Sequence, residues 1–168
     1  MERDPTAGGT QREFTEILER HRGLVLKVAA MYARAAADRA DLAQDIVVQL
    51  WRAWPRYDPA RTLTTWMYRI ALNVAISWVR AQAVRQRHAA SVDQLDEVPD
   101  ERATDPDTEH RLRLLEAFVH RQAPLDRALL LLHLEERGQR EIAEILGLTE
   151  TNVSTKLHRL KQRLRAEL

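Results

Sequence analysis

The sequence predicts an all-α fold: two small helical domains joined by a flexible acidic linker, the second containing a helix-turn-helix. Three observations predict it. The 168 residues include only five Gly and six Pro and are rich in Ala, Leu, Arg and Glu, a composition suited to helices. Apolar residues recur at three- and four-residue spacing along most of the chain. Charge is segregated behind a net value of +1. Residues 1–88 carry 14 basic and 9 acidic side chains, residues 89–109 one basic and eight acidic, and residues 110–168 carry 11 basic and 8 acidic. Two basic lobes flanking an acidic stretch suggest two surfaces that face nucleic acid.

Residues 1–12 read as a disordered lead without the apolar core of a signal peptide. The first domain is expected over residues 13–88. Its first helix runs from about Glu13 to Ala35 on a stripe of Phe14, Ile17, Leu18, Leu24, Val25, Val28 and Tyr32. A second helix begins near Asp38 or Asp41, an acidic start that suits a helix N-terminus. It carries Leu42, Ile46, Val47, Leu50, Trp51 and Trp54 and stops at Pro55. Residues 55–64 form a loop. A third helix starts near Thr64 and passes Trp66, Ile70, Val74 and Trp78 to about Arg87. Trp51, Trp66 and Trp78 are expected in the core, where large aromatics on helix faces usually lie.

Residues 89–110 are acidic, contain Pro and lack periodicity, so they read as a flexible linker. The second domain is expected over 111–168, with its first helix opening near Glu109 and carrying Leu112, Leu115, Phe118 and Val119. Pro124 opens the next helix, with Leu125, Leu129 and Leu132 inward. The helix-turn-helix follows. Ile142, Ala143, Ile145 and Leu146 carry its first helix, and Gly147 ends it because glycine enters the left-handed conformation without a steric cost. Ala143 supplies the small side chain that a steep helix crossing needs. Thr149 can cap the second helix, whose inward face is Val153, Leu157, Leu160 and Leu164. Its other face offers Thr151, Asn152, Ser154, Thr155, Lys156, His158 and Arg159, groups that hydrogen-bond base edges and phosphates. A helical hairpin with a solvated basic face is the competing reading of this segment.

Two further faces stand out. The third helix presents Thr65, Arg69, Asn73, Ser77 and Arg80, near aromatics and the loop residues Arg56, Tyr57 and Arg61, a combination suited to single-stranded DNA. The second helix presents Asp41, Gln44, Asp45 and Gln49. An acidic face on a basic lobe does not suit DNA, which leaves solvent or a protein as its partner.

The chain has no cysteine, which excludes disulfides and thiolate chemistry and fits a cytoplasmic protein. Its apolar runs are too short to cross a membrane. Its six His are scattered, without H-E-x-x-H spacing, and no G-x-S-x-G or glycine-rich phosphate loop occurs. No enzyme, cofactor or metal site is therefore expected. A regulator that binds an operator through the helix-turn-helix, with the first domain as sensor or dimeriser, is a second reading.

The segments Asp41–Asp45, Trp51–Ala53 and Thr65–Asn73 resemble domain two of the extracytoplasmic-function sigma factors. The segments Glu141–Leu148 and Leu157–Arg159 resemble their domain four. The match covers about residues 13–88 and 111–166, in order. It departs from the family's usual residues at Leu63, Thr64, Gly138, Gln139 and Ser154. The resemblance implies an alternative sigma factor that binds core RNA polymerase, directs it to promoters and assists melting. Asp41, Leu42, Gln44 and Asp45 would dock on the clamp helices of the largest polymerase subunit. Trp66, Arg69, Asn73 and Arg80 would hold the minus-ten element, with Asn73 against an extruded base. Asn152, Ser154, Thr155, Lys156, His158 and Arg159 would read the minus-thirty-five element. Promoter DNA, the polymerase and an anti-sigma protein are the implied partners.

Overall fold

The computed structural model describes residues 10–88 and 105–167, which are helices and their connections. The chain divides into two compact units, Met1–Ser91 and Val92–Leu168. Residues 1–9 of the expected lead and 89–104 of the expected linker lie outside the described residues.

In the first unit, α1 spans Gln11–Arg20 and α2 spans Arg22–Tyr32. Thr10 starts α1 with a capping box: its hydroxyl accepts from the Glu13 N–H at 3.4 Å, and the Glu13 carboxylate accepts from the Thr10 N–H at 2.9 Å. One helix was expected from Glu13 to Ala35, but His21, at φ −109° and ψ 19°, interrupts it. Gly23, a poor helix former, follows two residues later. The second segment buries Leu24, Val25, Val28, Ala29 and Tyr32.

Helix α3, Ala36–Ala53, buries Leu42, Ile46 and Leu50, one residue per turn, each with no exposed surface. Truncating one such side chain to Ala typically costs about 2–5 kcal/mol. Pro55 then tightens Trp54–Arg56 into a single 3-10 turn. Helix α4, Leu63–His88, packs against both α2 and α3 through Met67, Tyr68, Ala71, Leu72 and Ala75. Ala71 and Ala75 are fully buried, and their small side chains let the helices approach closely.

In the second unit, α5 spans Pro106–Arg121, α6 Pro124–Leu134, α7 Gln139–Leu146 and α8 Glu150–Glu167. Residues 106–110, expected within the linker, belong to α5. Pro106 at the helix start and Asp107 and Glu109 in its first turn favour an earlier N-terminus than the apolar pattern suggests. The core is Phe118 and Val119 of α5, Ala128–Leu132 of α6, Ile142, Ala143 and Ile145 of α7, and Val153, Leu157 and Leu160 of α8. Gly147 lies at φ 67° and ψ 34°. Both its N–H and that of Leu148 donate to the Ala143 carbonyl, which closes α7. The Thr149 hydroxyl accepts from the Asn152 N–H at 3.1 Å and caps α8.

A polar corner joins α5 to α6. Buried Gln122 donates through Nε2 to the Phe118 carbonyl at 2.7 Å. Arg127 donates to the carbonyls of His120 at 2.6 Å and Gln122 at 3.0 Å, satisfying the C-terminal end of α5.

Candidate nucleic-acid and docking faces

Helix α8 turns Val153, Leu157 and Leu160 into the core, so the residues between them must point outward. Asn152, Ser154, Thr155, His158 and Arg159 are exposed, as expected. Lys156 is not a free cation. It is half-buried on the flank facing α6, where its Nζ lies 3.9 Å from Oδ1 of Asp126. Its neighbour in sequence, Leu157, is a core residue, and this rolls Lys156 toward the helix packed beside it. Arg163 reaches the same carboxylate at 3.9 Å and donates to Gln122 Oε1 at 2.6 Å. Arg159 is exposed and has no ion-pair partner among the described residues. The outward face of α8 therefore offers the Arg159 guanidinium among small hydroxyls, an amide and an imidazole. This set can hydrogen-bond the edges of bases in a major groove that admits an α-helix.

On α4 the candidates fall on one line. At about 100° per residue, Trp66, Arg69, Asn73 and Arg80 lie within roughly 60° of one another around the axis. Arg69, Asn73 and Arg80 are exposed and Trp66 is half-buried. The Trp66 ring packs against Trp54 and Tyr57, with centroids 5.9 and 4.9 Å away. Tyr57 also stacks on Trp54 at 5.3 Å, nearly parallel. The Tyr57 hydroxyl donates to the Arg61 carbonyl at 2.8 Å, and Asp58 Oδ1 accepts from the Ala60 N–H at 2.9 Å. Burial and the adjacent Asp58 carboxylate push the Tyr57 pKa up, which keeps that hydroxyl a donor. The loop before α4 is thus pinned by an aromatic cluster, with Arg56 and Arg61 exposed on it.

This cluster corrects the placement of the tryptophans. Trp54 is the buried one at 4% exposure, Trp51 is 43% exposed, and Trp78 is half-buried. Leu42, Ile46, Leu50 and Trp54 follow at four-residue intervals, so Trp54 continues the core row and Trp51 stands off it. That spacing was the available signal. Phe14 of α1 covers both rings, at centroid distances of 5.1 Å to Trp51 and 5.7 Å to Trp54.

On α3, Asp41, Gln44 and Asp45 are exposed and share a face. Neither aspartate has an ion-pair partner among the described residues. Leu42 does not join them. It has no exposed surface, so its role is to seat α3 in the core, and it cannot touch a partner. Val48, one turn beyond Asp45, is 38% exposed and continues the face; its apolar side chain was overlooked among the polar residues. Unpaired carboxylates beside exposed apolar surface suit a protein contact better than a nucleic acid.

No group of three or more His, Asp or Glu among the described residues could hold a metal ion. Among the described residues no helix is long and apolar enough to cross a membrane.

Comparison with known proteins bears on both units. The family model described as Sigma-70 region 2 matches residues 17–85, and that described as Sigma-70, region 4 matches residues 123–164. The chain is 27% identical to the RNA polymerase sigma-E factor of Streptomyces coelicolor over 161 residues, covering 95% of this chain and 88% of that one. It is 30% identical to the ECF RNA polymerase sigma factor SigE of Mycolicibacterium smegmatis over 159 residues, covering 90% and 60%. Among solved structures, the fold resembles the sigma factor RpoE of Bartonella quintana, crystallised with the anti-sigma factor NepR. The TM-score is 0.76 at 15% identity, covering 93% of this chain and 96% of that one.

Proposed function

The chain belongs to the sigma-70 family, in its extracytoplasmic-function group, and from that premise we propose that it is an alternative sigma factor directing core RNA polymerase to specific promoters. The observation that carries this reading is the pairing of two modules in family order: a first unit with a region 2 match and a second unit whose helix-turn-helix presents an exposed polar face. A DNA-binding regulator needs only the second.

In this reading Asp41, Gln44 and Asp45, with Val48 beside them, dock on the clamp helices of the largest polymerase subunit. Leu42 holds α3 in place beneath them. Arg69, Asn73 and Arg80, with the exposed part of Trp66, hold the minus-ten element. Arg69 and Arg80 meet phosphates, and Asn73 offers an amide to an unstacked base. Flipping such a base costs a few kcal/mol, which stacking and polar contacts must offset if the strands are to stay open. Asn152, Ser154, Thr155, His158 and Arg159 read the minus-thirty-five element, with Lys156 at the edge of that surface. The work is binding, without covalent chemistry, cofactor or metal, and the protein acts in the cytoplasm. An anti-sigma protein is a further partner of this chain, as NepR is of its structural neighbour.

The test is transcription from genomic DNA by core polymerase, with and without the purified chain, followed by mapping of RNA starts. The expected result is a set of starts present only with the chain and sharing two spaced upstream elements. Absence of new starts, with the chain folded and co-eluting with polymerase, overturns promoter direction. Failure to co-elute overturns polymerase binding.

A further inference from the structure

Asp126 lies in the first turn of α6 with its side chain 22% exposed, directed at α8 rather than at solvent. Its two oxygens each meet a cation of the recognition helix, Lys156 Nζ and Arg163 Nη2, both at 3.9 Å. These cations are seven residues apart, about 10 Å along the axis. Arg159 stands between them on the same flank, and Asp126, Lys156, Arg159 and Arg163 line a common open depression. The row that would meet DNA phosphates thus already contains one carboxylate.

A negative charge in the first turn suits the N-terminus of α6, but that asks for no contact with α8, and the ion pairs themselves add little stability. The side chains of Lys156 and Arg163 are 36% and 55% exposed, and pairs this open contribute only about 0–1 kcal/mol. Arg163 is in any case held by Gln122 at 2.6 Å, and Gln122 by the Phe118 carbonyl. A weak, long contact between a carboxylate and a solvent-facing cation is one that a phosphate can replace. We propose that Asp126 is an internal counter-anion of the recognition helix, competing with DNA phosphate for Lys156 and Arg163 and so limiting how tightly α8 holds duplex of any sequence. The proposal rests on α8 being the helix that meets DNA.

The consequence is specificity. Phosphate contacts supply sequence-independent affinity, whereas base contacts supply discrimination. A carboxylate that lowers the first and leaves the second raises the ratio of promoter to non-promoter binding, the quantity that matters against a genome of competing sites.

The test measures binding of the full-length chain to a short random-sequence duplex across a salt series. Circular dichroism confirms folding of each variant. Asp126→Asn keeps the shape of the side chain and removes its charge, and Asp126→Ser is a second neutral variant that suits the first turn of a helix. Both are expected to bind several-fold more tightly at low salt, with the salt slope steeper by about one. In a chain also carrying Lys156→Ala and Arg163→Ala, Asp126→Asn is expected to change nothing. Unchanged or weaker binding by both neutral variants overturns the proposal, as does a gain that persists without the two cations. Arg159→Ala separates the two levels. If it weakens duplex binding while Asp126→Asn is silent, the counter-anion alone is wrong. If it has no effect on duplex binding, α8 is not the DNA-facing helix and the proposal falls with that reading.

Discussion

Gly147 holds a left-handed φ of 67° in open space: a Cβ there would meet nothing within 4 Å. Backbone strain alone therefore sets the result of substitution. Gly147→Ala is expected to lower stability by about 1 kcal/mol. Gly23→Ala, in equally open space but within α2, is expected to raise it by about 0.5–1 kcal/mol. Urea unfolding followed by circular dichroism checks both, and a common sign would contradict the argument. Gly147 and Thr149 were legible in the sequence because a left-handed stop and a hydroxyl cap are local chemistry. Glu136 was not. It also has a positive φ, 57°, in the turn between α6 and α7. That turn is held by the Arg137 N–H donating to the Leu132 carbonyl, a contact no glycine announces. At the docking face, Asp45→Arg is expected to weaken capture by core polymerase roughly tenfold or more, since like charges at an interface cost several kcal/mol. The exposure of Asp45 means that helicity should be unchanged, and unchanged capture would remove it from the interface.

At the scale of a helix, α8 divides its cations between two tasks. Arg159 is unpaired and outward, whereas Lys156 shares the Asp126 carboxylate. Arg159→Ala is accordingly expected to weaken promoter-duplex binding more than Lys156→Ala. Loss of a phosphate contact would lower the salt slope by about one, and loss of a base contact would relax sequence preference at about 1–3 kcal/mol. Titrations of both variants at several salt concentrations decide it; equal effects would mean that Asp126 does not restrain Lys156. Periodicity located α3 to α8 among the described residues but could not see this division, because Lys156 and Arg159 look alike until α6 is packed alongside. The break at His21 escaped for a similar reason: the stripe from Phe14 to Tyr32 runs through it with no Pro to mark the interruption.

For the molecule as a whole, the two units were legible from charge and composition, and their order from the resemblance of two separate motifs. The acidic stretch that precedes α5 has a composition that a tether does not require: five acidic and one basic side chain in residues 89–104. A polymerase interior that holds nucleic acid must present positive potential, and an acidic segment complements it. A Gly/Ser segment of equal length keeps reach and removes charge. It is expected to change the ratio of abortive to full-length transcripts on a single promoter, with the difference shrinking as salt rises. Identical profiles at low and moderate salt would leave the stretch as a spacer.

Every buried residue of α4 lies between Thr65 and Ala75; no side chain from Ile76 to His88 is buried. Ile76, Trp78 and Val79 are half-buried, and from Arg80 the last nine residues of the helix, about 13 Å, project without a core of their own. A free helix of that length is marginal in water. Amides beyond Val79 are therefore expected to exchange with deuterium far faster than those near Leu72, and promoter DNA to slow them selectively. A strand that settles on Arg80 must then supply the free energy that orders the segment, so its measured affinity falls short of what the contacts alone would give. Helix-favouring substitutions on the far side of this segment would tighten binding without touching the nucleic acid, and equal exchange along all of α4 would rule that out.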